Sequence, residues 1–250
     1  PPAVPPPPTA DEDLSTKPAA QIAYRAAYPT GYGPPAIVER AYSANAQQYR
    51  DLYYRLHAEV DDPIDRVRRA VTGEAVLVRT SDHGDLLGAH GGLHQKWFNL
   101  YDEATRVPMA IARVGEGATT GRTIDDMCTS HVDLVPTLLA VAGIDQAATA
   151  TQLAADFSEV HPLPGVVDGA DEPDPNRSVY LMTRDNVLEG DTGLSGAARR
   201  LKRTTVPEPL RINVPAHVAA NFEGVVARVA NVDASGGRGH LWKLVRTFDD

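Results

Sequence analysis

The sequence predicts an α/β fold, and three observations carry that prediction. Apolar residues recur at steps of three and four through residues 42–71, the spacing of one helix face. A compact apolar run, Ala75–Thr80, has the length of a buried strand and opens directly onto a polar, glycine-rich cluster. Strand-like and helix-like runs then alternate towards the C-terminal end, the pattern of helices layered on a sheet.

The elements follow in order. Residues 1–35 hold ten of the twenty prolines, with Pro5–Pro8 unbroken. Proline removes backbone donors and favours extended chain, so residues 1–41 are predicted to be an arm or linker, disordered or laid over a surface. Within residues 42–71 the stripe Tyr49, Leu52, Tyr53, Leu56, Val60, Ile64, Val67, Val71 predicts a long amphipathic helix. Pro63, after Asp61-Asp62, is expected to break or restart it, and Thr72-Gly73 to end it. Ala75–Thr80 is a predicted strand of a parallel or mixed sheet, and residues 107–112 are a second strand. Ser130 is placed to cap a helix running to about Ala142, with Asp133 three residues on near a capping box and Gly143 as the stop. Residues 145–177 are loop-rich. Residues 179–182 form another predicted strand. Residues 223–229 and 241–248 form a final strand pair joined at Gly236-Gly237. The organisation expected is therefore an arm (1–41), an α/β core portion (42–145) and a loop-rich, β portion of the same fold (146–250).

Composition narrows the functional classes. With 250 residues, 42% hydrophobic and 23% charged, the chain can bury a substantial core. Its net charge of −9 and lack of a basic stripe argue against nucleic acid as a partner. The one basic cluster, Arg199, Arg200, Lys202 and Arg203, reads as a solvated face. A single cysteine, Cys128, excludes a disulfide within the chain and reads as a small buried residue. No run reaches membrane-spanning length, and no membrane partner is expected. The start is neither Met nor a signal peptide, so the chain is expected to belong to something longer. The expected setting leans cytoplasmic, with any targeting signal upstream of Pro1.

The chemistry concentrates between Thr80 and Trp97. Asp82 is a hard oxygen ligand for a divalent cation, and His83 beside it offers nitrogen. Gly84 lets the chain turn there. The competing reading is a turn in which Asp82 only caps a backbone donor. His90 and His94 are open to three readings: ligands, anion contacts or solvated loop histidines. Lys96 is spaced so that the loop can fold it back towards Asp82, where its ammonium would stabilise charge on an oxyanion. Trp97-Phe98 would pack beneath that loop.

These residues also carry a resemblance. Ser81-Asp82-His83-Gly84, Leu87-Gly88-Ala89-His90-Gly91, Lys96-Trp97, Tyr101-Asp102-Glu103 and Arg106-Val107-Pro108-Met109 together resemble the sulfatase family of the alkaline-phosphatase-like superfamily. Ser130–Leu139 with Ala142-Gly143, and His161–Gly165, match its later segments. The resemblance runs from about residue 42 to the end and is dense from 75 to 145. It implies an alkaline-phosphatase-like mixed sheet flanked by helices. It assigns Asp82, and with it His83, to an active-site calcium, and Lys96 to the sulfate group. His90 and His94 are provisional site members, because their loop is one residue longer than the family pattern. The family's nucleophile is a formylglycine made from cysteine or serine in a Cys/Ser-x-Pro-x-Arg motif, and its hydrate attacks sulfur. No such motif occurs in these 250 residues, and Cys128 lacks the required proline and arginine.

The function expected is therefore that of a C-terminal part of a sulfatase-like hydrolase. Its substrates would be small-molecule or saccharide sulfate esters. The N-terminal half of the fold would be required, and the span alone is expected to be inactive. Two alternatives remain: a phosphodiesterase or phosphonate-ester hydrolase of the same superfamily, and a non-catalytic sulfatase-like binding module.

Overall fold

The computed structural model describes residues 3–31, 35–114, 127–144, 163, 174–184, 221–229 and 239–248, for 26–31 and 35–45 the backbone alone. A 3₁₀ turn, Leu14–Thr16, leads into α1 (Ala19–Gly31), α2 (Pro35–Glu59) and α3 (Asp61–Ala70). Strand β1 (Ala75–Thr80) pairs antiparallel with β2 (Met109–Val114), Thr80 opposite Met109. A 3₁₀ turn, His131–Asp133, feeds α4 (Leu134–Val141). Strands β3 (Val179–Arg184), β4 (Asn221–Val229) and β5 (His240–Phe248) form a three-stranded antiparallel sheet. The chain is thus α/β, and its C-terminal strand pair is β4–β5 with β3 added at one edge. Among the described residues β1 pairs only with β2, antiparallel, where the sequence suggested a parallel or mixed sheet. The predicted turn at Gly236-Gly237, the basic cluster at 199–203 and most of the loop-rich span lie outside the described residues.

The predicted long helix divides at Val60. α2 starts earlier than expected, at Pro35, and α3 begins at Asp61. Pro63 has no N–H to offer the carbonyl of Glu59, so the helical ladder is interrupted one turn before it. Val60 nevertheless keeps helical dihedrals (φ −77°, ψ −14°), and Ile64 donates to its carbonyl at 3.1 Å. The apolar period is that of a helix, as expected. Leu52, Leu56, Val60, Ile64 and Val67 are nonetheless exposed, because periodicity fixes a face without supplying what packs on it.

Residues 3–31 depart from an extended arm. Val4 does lie along α2: its N–H donates to Asp51 at 2.7 Å, and its carbonyl accepts from Gln47 at 2.7 Å. From Ala19 onward the chain is helical, because a run of good helix formers follows the last of the early prolines, Pro18. Its Ala20 and Tyr24, four residues apart and fully buried, join Leu14, Leu86, Ala89, Leu93, Phe98, Leu100 and Phe222 in the core. Tyr24 meets Phe98 edge to face at 5.6 Å, and Gln21 donates to the Phe98 carbonyl at 3.0 Å. Regional proline content concealed this helix. The core therefore sits directly beneath the segment 81–98, which supplies four of its nine buried apolar residues: Leu86, Ala89, Leu93 and Phe98. Among the described residues, no helix is long and apolar enough to cross a membrane.

Candidate active site

The polar segment after β1 is folded back on itself by short-range bonds. Asp85 accepts from the backbone N–H of Leu87 at 2.8 Å and of Gln95 at 3.1 Å. Leu86 donates to the Gln95 carbonyl at 3.0 Å, and Gly88 to that of Leu93 at 2.8 Å. These bonds close the loop so that Lys96 returns to the level of Asp85. Leu87, His90, Gln95 and Phe98 all adopt left-handed φ values near 50°. Each costs free energy for a non-glycine residue, on the order of 1 kcal/mol. The core side chains of Leu86, Leu93 and Phe98, each at most 2% exposed, hold the backbone in that state.

Asp82 stands at the exposed tip, with 83% of its side chain accessible. One carboxylate oxygen accepts the His83 backbone N–H at 2.9 Å. That bond chiefly holds its carboxyl below the ordinary range, and the charges of His83 and Lys96 act the same way. The His83 ring is oriented by its neighbour: Nδ1 lies 2.8 Å from the Gly84 carbonyl. A carbonyl only accepts, so Nδ1 carries a hydrogen directed at Gly84. Nε2 lies 3.4 Å from the second oxygen of Asp82. A ligating histidine is commonly set in this way, with one nitrogen donating to a carbonyl and the other free for metal. The donor set fits part of a cation shell, one carboxylate and one imidazole. A hard cation takes about six to eight donors, and no group of three or more ligating side chains occurs among the described residues.

Gly84 is a close-approach position. It donates to the Ala104 carbonyl at 2.9 Å, and a Cβ there would lie 1.9 Å from the Glu103 carbonyl oxygen. Gly84→Ala must displace either the Asp82 turn or the helical turn Asp102–Thr105. It is expected to lower unfolding free energy by about 1–3 kcal/mol. A urea titration that moved the midpoint by less than the equivalent of about 0.5 kcal/mol would contradict that.

His90 and His94 are held differently from Asp82 and Lys96. His90 lies between two carboxylates, Nδ1 at 2.7 Å from Glu12 and Nε2 at 3.2 Å from Glu103. Its ring stacks on Tyr101 at 3.6 Å. It thereby joins the N-terminal segment to the loop, and Thr9 adds a hydroxyl contact to the His90 N–H at 3.0 Å. His94 is 1% exposed, with its ring edge-on to Tyr49 at 5.6 Å. Burial pushes His94 down to about 4 from 6.5. The unfolded chain then takes up a proton between those values that the folded chain refuses. Stability should fall as pH drops from about 6.5 towards 4, by roughly 3 kcal/mol in full, with no effect above that window. Urea midpoints measured between pH 7.5 and 4.5 test this. A His94→Leu variant should flatten the dependence.

The helix after Ser130 is locked as its spacing predicted. Ser130 and Asp133 form a reciprocal capping box, and the Ser130 N–H reaches Asp133 at 2.9 Å. Asp133 is fully buried and takes both guanidinium nitrogens of Arg177 at 2.7 Å each. Asp85, Glu12, Arg177 and His131 were not singled out by their spacing. Only Asp85 had a local sign, as an Asp two residues ahead of a left-handed turn. Cys128 is half-buried.

Comparison with known proteins places the chain in a family. The Sulfatase family model matches residues 5–144. The chain belongs to the sulfatase family, and the match starts well before residue 42, where the sequence resemblance began. An uncharacterized sulfatase of Escherichia coli, YidJ, is 34% identical over 141 residues, 55% of this chain and 25% of that protein. A choline-sulfatase of Rhizobium meliloti is 35% identical over 108 residues, 42% and 18% of the respective chains. An N-acetylglucosamine-6-O-sulfatase of Bacteroides thetaiotaomicron is 33% identical over 104 residues, 40% and 18%. The matched part of this chain spans a quarter or less of the length of these relatives. No solved structure matches significantly.

Proposed function

We propose that this chain supplies one wall of a sulfate-ester hydrolase site. Asp82 and His83 would hold a divalent cation, calcium foremost, and Lys96 would contact the sulfate oxygens. The observation that carries this reading is an exposed Asp82 carboxylate, held below its ordinary range, with His83 Nε2 3.4 Å away and the Lys96 charge acting on the same carboxylate. The Lys96 ammonium would stabilise negative charge that grows on the oxyanion as the ester bond breaks. A bound cation would polarise a sulfate oxygen and support a nucleophile at neutral pH. The formylglycine nucleophile suggested by the family, together with the remaining cation ligands, would come from the rest of the fold. His90 and His94 support the loop rather than meet substrate. The substrate class would be a small-molecule or saccharide sulfate ester, the kind named for the relatives.

The test compares this chain with a full-length protein that carries it. The chain alone should bind calcium weakly and hydrolyse no aryl sulfate, while the full-length protein should hydrolyse it and lose activity to a chelator. Chelator-sensitive turnover by the 250-residue chain would sink the divided-site reading. Faster turnover of a matched phosphate ester by the full-length protein would move the substrate to the phosphodiester class. Tight calcium binding by the chain alone would favour a self-sufficient binding module.

A further inference from the structure

The turn before α4 touches the metal-and-oxyanion loop at one polar contact. His131 Nε2 and Thr80 Oγ1 lie 3.1 Å apart, though they are 51 residues apart in sequence. Thr80 ends β1 two residues before Asp82, and its hydroxyl also points to the Ser81 carbonyl at 3.5 Å. That orientation leaves Oγ1 to accept, so His131 Nε2 carries the hydrogen. The His131 backbone is held from three sides. Ser130 and Asp133 cap the turn, Arg177 grips Asp133 with two bonds, and Thr137 links the Asp133 carbonyl at 2.6 Å to the Leu163 N–H at 2.8 Å. A ring projecting from so constrained a turn has little freedom to move with a loop. It serves as a fixed point against which the loop can be set.

We propose that His131 is a positioning residue of the site. Through Thr80 Oγ1 it fixes the end of β1 and so the direction in which the chain delivers Asp82 and His83. The inference rests on the site assignment proposed above. It explains why a half-exposed histidine stands in an otherwise locked helix start, where capping needs only Ser130 and Asp133.

The test uses the 250-residue chain with nitrogen-labelled histidine, and calcium alone as the probe. The His131 ring should show the Nε2–H form, and Thr80→Val should abolish that preference. Followed through the Asp82 and His83 amides, His131→Phe and Thr80→Val should each weaken calcium binding about tenfold, the scale of a lost outer-shell partner. His131→Gln should restore it to within about twofold, since its amide can donate to the same hydroxyl. The double variant should be no weaker than either single one, because the two changes remove the same bond. Thr80 is exposed, so its variant reports on the contact even if His131→Phe fails to fold. Wild-type calcium affinity in folded His131→Phe, with unmoved Asp82 and His83 amides, overturns the inference. If calcium leaves even the wild-type amides unmoved, the metal reading above fails. The inference is then decided by the ring form and by the amide shifts that Thr80→Val produces.

Discussion

Asp133→Ala should destabilise the folded chain by about 3–5 kcal/mol, the cost of removing one partner from a buried ion pair. The carboxylate has no solvent exposure and makes two 2.7 Å bonds to Arg177 and one of 2.9 Å to the Ser130 N–H. Alanine would leave a guanidinium whose side chain is only 14% exposed facing an apolar gap, and would unmake the helix cap. A domain of ordinary stability has about 5–15 kcal/mol in total, so much of the population would unfold near physiological temperature. Asp133→Asn keeps the shape and one acceptor and should cost less. Urea unfolding of the three proteins checks this. A loss below about 1 kcal/mol for the alanine variant would mean that the pair contributes little beyond the cap.

Lys96→Ala should act on the opposite quantity. Lys96 is exposed, so its removal should leave the unfolding free energy within about 0.5 kcal/mol of wild type. In a full-length protein that turns over an aryl sulfate, the same change should lower kcat/KM by about 10²–10³-fold, the usual effect of deleting one group that stabilises a developing oxyanion. The loss should fall mainly on kcat if the ammonium meets charge that appears only in the transition state. Unchanged kcat/KM would remove Lys96 from the site. A large loss of stability would show that it supports the loop.

Much of the candidate site was legible because it is local. Ser81–Gly84 follows a strand, Lys96 lies within one loop of Asp82, and Ser130 and Asp133 sit at the spacing of a capping box. All three arrangements bring residues together over short sequence distances, which dihedral preferences and hydrogen-bond reach control. The parts that were missed are contacts across sequence. Arg177 reaches Asp133 across 44 residues, Glu12 reaches His90 across 78, and Thr80 meets His131 across 51. No periodicity or motif spacing encodes such pairs. The helix α1 was missed for a different reason: ten prolines in the first 35 residues outweighed a short run of helix formers within them.

The α/β class, the period of the helix carrying Leu52–Val67, the strand ahead of Asp82 and the family can all be read along the chain. Each depends on neighbouring residues, on backbone propensity or on short-range hydrogen bonds. Which polar residues face outward together depends on how the chain packs in three dimensions. Asp82 and Lys96 are exposed, while His94, two residues before Lys96, is buried and His90 is held by Glu12 and Glu103. Five histidines and acids within fifteen residues look alike in a sequence. Their roles separate because left-handed turns at Leu87, His90 and Gln95 reverse the direction of the chain, and the core beneath admits some side chains and not others.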